Sequence, residues 1–295
     1  MSREEVVIIG AGPSGLATAL QLERYGIKPL IIEKDNIGGL LHNANLVENY
    51  PGFPGGIPGP ELVNLIEQQV KAHEINILHG KVEKLNYSDE RFEFLVSGRK
   101  FHSNLAVIAT GTKPREFKEF DIPEIIQERV CYEVYPLLKL KNKQIAIVGA
   151  GDAAFDYGLN LAQENEIFIL NRSRTISCLR LLKARADQNP RIHYSPETSI
   201  ASISTKPAGG IILECKTPLE TRLLAVDYLV GAIGRDPNLD FISGQFLEIA
   251  IQLENSGKLY YVGDVVNGLY RQTAIAVGDG ILAAMKIYKY LEEKV

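Results

Sequence analysis

The chain has 295 residues, enough for two domains, with 23% charged and 45% hydrophobic residues, the balance of an ordinary soluble globular protein. A net charge of −4 argues against the clustered basic face of a nucleic-acid binder, and no apolar run approaches the roughly 18–20 residues of a membrane span. The opening "MSREEVVIIGAG" enters a strand-like run at once, so no signal peptide is expected, and Cys131, Cys178 and Cys215 are too scattered for a disulfide framework or a zinc site. The expectation is a cytoplasmic protein without metal.

In chain order, the first predicted unit is "EEVVIIGAGPSGLATALQLERYGIKPLIIEK" (4–34): an apolar run, a turn with Gly10, Gly12 and Gly15, an amphipathic helix and a second apolar run. The first glycine permits the tight turn, the second lets a pyrophosphate approach the backbone, and the third lets helix and strand pack closely. The helix N-terminus adds free N–H groups and a positive dipole end. Glu33, eighteen residues after Gly15, can accept hydrogen bonds from ribose hydroxyls. "NLAVIATGTKPR" (104–115) reads as a buried strand with a Thr-Gly turn and a proline-bearing linker.

Residues 142–172, "NKQIAIVGAGDAAFDYGLNLAQENEIFILNR", repeat the plan of 4–34 with Gly149, Gly151 and Ala154 in the turn. Two such turns in one chain point to two dinucleotides and electron transfer between them. The slot matching Glu33 holds Asn171, with Arg172 and Arg174 close behind. No acid and two guanidiniums favour NADP over NAD, with two arginines on a solvated loop as the alternative. "KLYYVGDVV" (258–266) is a strand ending at Asp264, and 271–294 is a long amphipathic helix. Val277, Ile281, Leu282, Met285 and Leu291 form a near-helical stripe expected to pack in the core. The N-terminus of that helix can direct its dipole at a ring that becomes anionic on reduction.

"GAGPSG" (10–15), "GGLLHNANLVENYPGFPGGIPGPEL" (38–62), "ATG" (109–111), "GAGDAA" (149–154), "GAIGRDPN" (231–238) and "VGDVVNGLYRQTAIAVGDG" (262–280) together resemble the low-molecular-weight thioredoxin reductases over nearly the whole chain. The resemblance implies an α/β protein with two Rossmann-like, three-layer domains, an NAD(P)H domain (113–235) inserted into an FAD domain (1–112 and 236–295). It also implies a homodimer in which the small domain rotates. Carried over by position, the FAD contacts are Gly10, Gly12, Pro13, Ser14, Gly15, Glu33, Lys34, Gly39, Leu40, Asn49, Val82, Thr110, Gly111, Gly263, Asp264, Gln272, Thr273 and Ala274. The NAD(P)H contacts are Gly149, Gly151, Asp152, Ala153, Asn171, Arg172, Arg174 and Gly234, with NADP expected and NAD as the alternative. Two departures stand out: Leu40 replaces a family glutamine, and Asn171-Arg172-Ser173 replaces His-Arg-Arg.

A third departure concerns the family's Cys-x-x-Cys-Asp. Counting back from Gly149, the cysteine positions fall on Tyr132 and Tyr135 and the acid on Pro136, with Cys131 one place out of register. A dithiol relay needs an attacking thiolate and a resolving thiol in reach, and no second cysteine lies three residues from Cys131. Cys178 and Cys215 are expected within a helix or strand of the nucleotide domain. Tyr132 or Tyr135 can shield the flavin, or pack on the domain's strand edge. The same segment resembles ferredoxin/flavodoxin–NADP reductases of this fold, to which Asp152 and Asp156 also fit.

The resulting expectation is an FAD-dependent NAD(P)H oxidoreductase passing electrons to an external acceptor: ferredoxin, flavodoxin, a quinone-like molecule or a thioredoxin-like partner's disulfide. The alternatives are a thioredoxin reductase-like enzyme using Cys131 with an intermolecular partner, and a nucleotide-binding regulatory flavoprotein. No catalytic side chain is expected, since hydride transfer needs stacking and orientation more than an acid or base. His42 is the one histidine expected near the flavin.

Overall fold

The computed structural model describes residues 3–206 and 209–294. Contacts divide the chain into two compact units, one comprising Met1–His42, Val47–Lys113 and Asp236–Val295, the other Asn43–Leu46 and Pro114–Arg235.

The first unit opens with β1 (Arg3–Ile9), α1 (Pro13–Arg24), β2 (Leu30–Glu33), α2 (Gly59–Ala72) and β3 (Asn76–His79). A meander of β4 (Val82–Ser88), β5 (Arg91–Val96) and β6 (Arg99–Ile108) follows. The order β3-β2-β1-β6 is parallel, while β5 and β4 join the β6 edge antiparallel. The Val-Val-Ile-Ile run of β1 is buried on both faces, as a central parallel strand requires. Val6 and Ile8 point to a cluster with Leu16, Ala19 and Leu22 of α1, and Val7 and Ile9 to one with Phe92 and Phe94 of the meander. Alternate residues of β1 therefore serve two separate buried clusters, one on each face. Pro13 takes the first helical position of α1, where its missing N–H costs nothing.

The second unit repeats this plan. The chain enters through β7 (Thr112–Pro114) and β8 (Val130–Cys131), then runs through β9 (Gln144–Val148), α3 (Asp152–Leu161), β10 (Glu166–Leu170), α4 (Arg180–Gln188) and β11 (Ile192–Ser195). An antiparallel sheet follows, β12 (Ser199–Thr205), β13 (Ile211–Lys216) and β14 (Thr221–Val226), and then β15 (Tyr228–Gly231) and β16 (Arg235–Pro237). The parallel sheet has the order β11-β10-β9-β15-β8. Ile145 and Ile147 of β9 pack with Phe155 of α3, while Ala146 between them joins Ile203, Leu213 and Cys215 of the antiparallel sheet. The chain then completes the first unit with α5 (Gly244–Asn255), β17 (Leu259–Tyr261), which pairs with β6, and α6 (Thr273–Glu292).

Two expectations are corrected. The stripe on α6 is not core: Ile281, Leu282 and Met285 are exposed, and only Leu291 packs against the buried cluster. The buried face is instead Ala276, Gly280, Ala283, Ala284 and Ile287, against which α1 lies. Small residues are required because a Cβ at Gly280 would sit 2.2 Å from the Ser14 carbonyl oxygen. A search for large apolar side chains misses a face selected for close approach. The second correction is Cys178, which lies in the loop before α4 rather than in a regular element; Cys215 does lie in β13.

Candidate functional site

In the first unit the turn after β1 is shaped by backbone proximity. A Cβ at Gly10, where φ is 105°, would meet the Ala109 carbonyl oxygen at 2.4 Å, and one at Gly15 the Gly10 carbonyl oxygen at 2.0 Å. Gly12 differs: nothing lies within 4 Å of its missing Cβ. Across from it is Gly39, whose Cβ would come only within 3.5 Å of the Gly12 Cα, and the Gly38 N–H donates to the Ala11 carbonyl at 2.8 Å. Two opposed glycines beside the α1 N-terminus thus leave a cradle that side chains would fill. Glu33, at the end of β2, is buried and turns inward: one carboxylate oxygen accepts from the Ala11 N–H at 2.6 Å and the other from the Asp35 N–H at 2.7 Å. Lys34 is exposed and paired with Asp35 at 3.2 Å.

Distant residues of the first unit meet at three further points. Asn49 Nδ2 donates to Gln272 Oε1 at 2.8 Å across 223 positions of sequence. Thr110 Oγ1 donates to the Asn238 carbonyl at 2.7 Å, and the Asn238 N–H to the Gly111 carbonyl at 3.1 Å. Gly263, at φ 76°, sits over Ser14, whose buried hydroxyl donates to the Val262 carbonyl at 3.4 Å. Asp264 follows within the same short 3-10 turn. Asp279 of α6 was not anticipated. It accepts from the Gly263 N–H at 3.2 Å and from Asn267 Nδ2 at 2.6 Å, and so fixes the loop that carries Asp264. Gln272 precedes α6 without a side-chain cap, leaving the N–H groups around Thr273 and Ala274 for other acceptors. Beside it the buried Arg271 Nε has no hydrogen-bond partner among the described residues. Val82 is buried at the start of β4, Leu40 is half-buried, and His42 contacts the Ile37 carbonyl of its own loop at 2.8 Å. The glycine cradle, the orphaned Arg271 Nε and the uncapped helix together fit an extended, anionic dinucleotide such as FAD.

The second unit builds the equivalent turn. Gly149, at φ 143°, lies so close to Ala232 that a Cβ would come within 2.4 Å of its carbonyl oxygen, while Gly151 again opens on space, with Ser177 Oγ the nearest atom at 3.5 Å. Ala154 is buried, Ala153 exposed, and Gly234, at φ 113°, accepts from the Arg115 N–H at 2.9 Å. The loop after β10 folds back over this turn: the Ser177 N–H donates to the Ala150 carbonyl at 3.0 Å and the Leu179 N–H to Asp152 Oδ1 at 2.7 Å. Asn171 is buried. Its Nδ2 donates to the Thr175 carbonyl and the Tyr194 hydroxyl, and its Oδ1 accepts from the Ser173 N–H. Arg174 is largely exposed and bonded to Glu197, which raises its pKa above the usual arginine value.

Residues 4–280 match the family described as pyridine nucleotide-disulphide oxidoreductase. The chain belongs to that family. NADPH-dependent thioredoxin reductase 3 of Arabidopsis thaliana is 31% identical over 98% of this chain, which spans 58% of that protein's length. The thioredoxin reductase of Rickettsia typhi is 29% identical, with 98% of each chain covered. Among solved structures, the thioredoxin reductase of Lactococcus lactis in its FR conformation superposes with a TM-score of 0.86 at 26% identity, covering 98% of this chain and 99% of that one. The fold is that of a thioredoxin reductase, and the cofactors of this family are FAD and NADPH.

Residues 131–136, in place of the dithiol, are unevenly packed: Val134 is buried, whereas Tyr135 and Pro136 are exposed. Cys131 closes β8, half-buried beside β15, and burial raises its thiol pKa. Burial likewise raises the Cys178 and Cys215 thiols, the first with help from the charge of Asp152. All three cysteines are free. The Tyr132 hydroxyl accepts from the Phe117 N–H at 2.9 Å, and its ring lies where a Cβ on Gly231 would come within 2.6 Å. Tyr132 is half-buried and packs against a buried cluster of its own unit that includes Phe117 and Leu229. Asn43, also unanticipated, holds the rest of the segment: its Oδ1 accepts from the Val134 and Tyr135 N–H groups, each at 2.9 Å, and its Nδ2 donates to Glu133. Glu133 in turn pairs with Arg235 at 2.9 Å.

Proposed function

We propose that this FAD-dependent NAD(P)H oxidoreductase passes electrons to an external acceptor without an internal redox disulfide. The observation that carries the reading is the dithiol position itself: tyrosines stand at 132 and 135, and Tyr132 is committed to Phe117. Cys131, its thiol pushed up by burial, is a poor thiolate source and has no resolving partner in adjacent sequence.

In this reading the first unit holds FAD and the second NAD(P)H. When bound, the two cofactors supply hydride transfer from nicotinamide to isoalloxazine. The protein's part is binding and orientation. The turns at Gly10–Gly15 and Gly149–Ala154 present backbone N–H groups to pyrophosphates, and Glu33 keeps the first turn in shape. Asn49 and Gln272 form a polar pair at the ring-proximal end, and the α6 N-terminus offers its dipole to negative charge. The relatives' names favour a thioredoxin-like disulfide as acceptor, with ferredoxin and flavodoxin next. The exposed Ile281, Leu282 and Met285 suit a homodimer contact, and a cytoplasmic setting suits three free cysteines.

Anaerobic stopped-flow mixing of the FAD-loaded protein with NADPH and NADH, followed by a panel of acceptors, tests the proposal. Flavin bleaching and unchanged acceptor reduction by Cys131→Ser are expected. Loss of protein-disulfide reduction alone in that variant would favour the route through Cys131, and no bleaching with either nucleotide would sink the oxidoreductase reading.

A further inference from the structure

The Asn171 slot lacks the acid that recognises a ribose 2′-hydroxyl, yet an acid reaches the same loop from the next strand. The turn after β11 is stitched to the loop after β10 by three backbone hydrogen bonds. The Asn171 N–H donates to the Ser195 carbonyl at 3.0 Å, the Thr198 N–H to the Asn171 carbonyl at 2.8 Å, and the Glu197 N–H to the Ser173 carbonyl at 3.3 Å. Glu197 itself has φ 50°, a left-handed conformation uncommon for a residue with a Cβ. Its carboxylate lies 2.7 Å from Arg174 Nε. Arg172 makes no ion pair among the described residues, so the loop presents one free guanidinium and one already neutralised.

We propose that Glu197 sets the coenzyme preference of the second glycine turn, its carboxylate opposing an adenosine 2′-phosphate and leaving a 2′-hydroxyl unaffected. The inference rests on the pyridine-nucleotide reading of residues 149–154. A 2′-phosphate carries nearly two negative charges, so a carboxylate fixed beside it is repulsive and also withholds Arg174 from it. A free ribose hydroxyl is neutral and can donate to a carboxylate. Glu197 therefore weakens selection for NADPH and admits NADH, in opposition to Arg172. The anchoring of Asn171 to Thr175 and Tyr194 keeps the loop from swinging away.

The test is calorimetric titration of the FAD-loaded protein with 2′,5′-ADP and with 5′-AMP, which differ only in the 2′-phosphate. Glu197→Gln is expected to tighten 2′,5′-ADP about fivefold at low ionic strength, with the gain shrinking in salt and 5′-AMP unchanged. The ratio of flavin-bleaching efficiency with NADPH to that with NADH should rise by the same factor. Glu197→Asn removes the charge with a residue tolerant of left-handed backbone, and should give the same result where Glu197→Gln folds poorly. Unchanged or weaker 2′,5′-ADP binding in both variants would overturn the proposal. Failure of the wild-type protein to bind either nucleotide would overturn the coenzyme reading, and this proposal with it.

Discussion

Glu33→Gln exchanges one carboxylate oxygen for an amide nitrogen at nearly constant volume. In the wild-type protein both oxygens accept backbone hydrogen bonds, from Ala11 at 2.6 Å and from Asp35 at 2.7 Å. Glutamine has a single acceptor, so one N–H must face an NH₂ group. Ala11 is fully buried, and its N–H has no route to solvent. Loss of a hydrogen bond to a charged acceptor, with the donor left buried, costs about 2–3 kcal/mol. The deficit can appear in two places. If the glycine turn keeps its shape, the folded state bears the cost, and the flavin-free protein should melt about 5–8 °C lower. If the turn relaxes, FAD must restore it on binding, and the dissociation constant should rise about 30- to 150-fold. Scanning calorimetry of flavin-free protein and fluorescence titration with FAD measure both. A variant with unchanged melting temperature and unchanged FAD affinity would refute the role assigned to Glu33.

Three other perturbations follow from the same geometry. Asn43→Ala removes the acceptor of two backbone N–H groups and the donor to Glu133, and should lower stability by about 2–4 kcal/mol in urea denaturation; an unchanged midpoint would count against the anchoring role. Gly280→Val forces side-chain atoms into the Ser14 carbonyl and should part α6 from α1, lowering the melting temperature by at least about 10 °C; near-wild-type melting would contradict the close packing. Burial pushes Tyr157, Tyr260 and Tyr261 up to about 12. Because the folded values lie above the unfolded value near 10, their stabilisation is complete below pH 10 and is lost as pH rises toward 12. Urea midpoints should therefore fall over that interval, in step with tyrosinate absorbance, and flat midpoints to pH 12 would refute it.

Much of the fold was legible because its signals are local. A Val/Ile run, a glycine turn and a helix of fixed length recur within thirty residues, and each copy became a strand, turn and helix at the expected place. The face of α6 was not legible, because hydrophobicity weights Leu282 and Met285 above Gly280 and Ala284, while the decisive constraint was the distance to a neighbouring backbone. Asp279 stood inside a stretch already singled out, but only the folded loop shows it beneath Gly263. Asn43 and Glu197 act across long sequence separations with no motif to announce them.

The two copies also show what the residue at the end of the second strand does. In the first copy, Glu33 spends both oxygens on backbone N–H groups of the turn and of its own strand end. In the second, Asn171 is equally buried and equally spent, on Ser173, Thr175 and Tyr194. Each residue first anchors a loop, and its charge is only part of its effect on a ribose. Exchanging glutamate for asparagine at this slot therefore does not by itself create a site for a 2′-phosphate. The local charge is set by whatever the next strand delivers. Here that is Glu197 against Arg174, leaving Arg172 as the cation of the loop with no ion pair among the described residues.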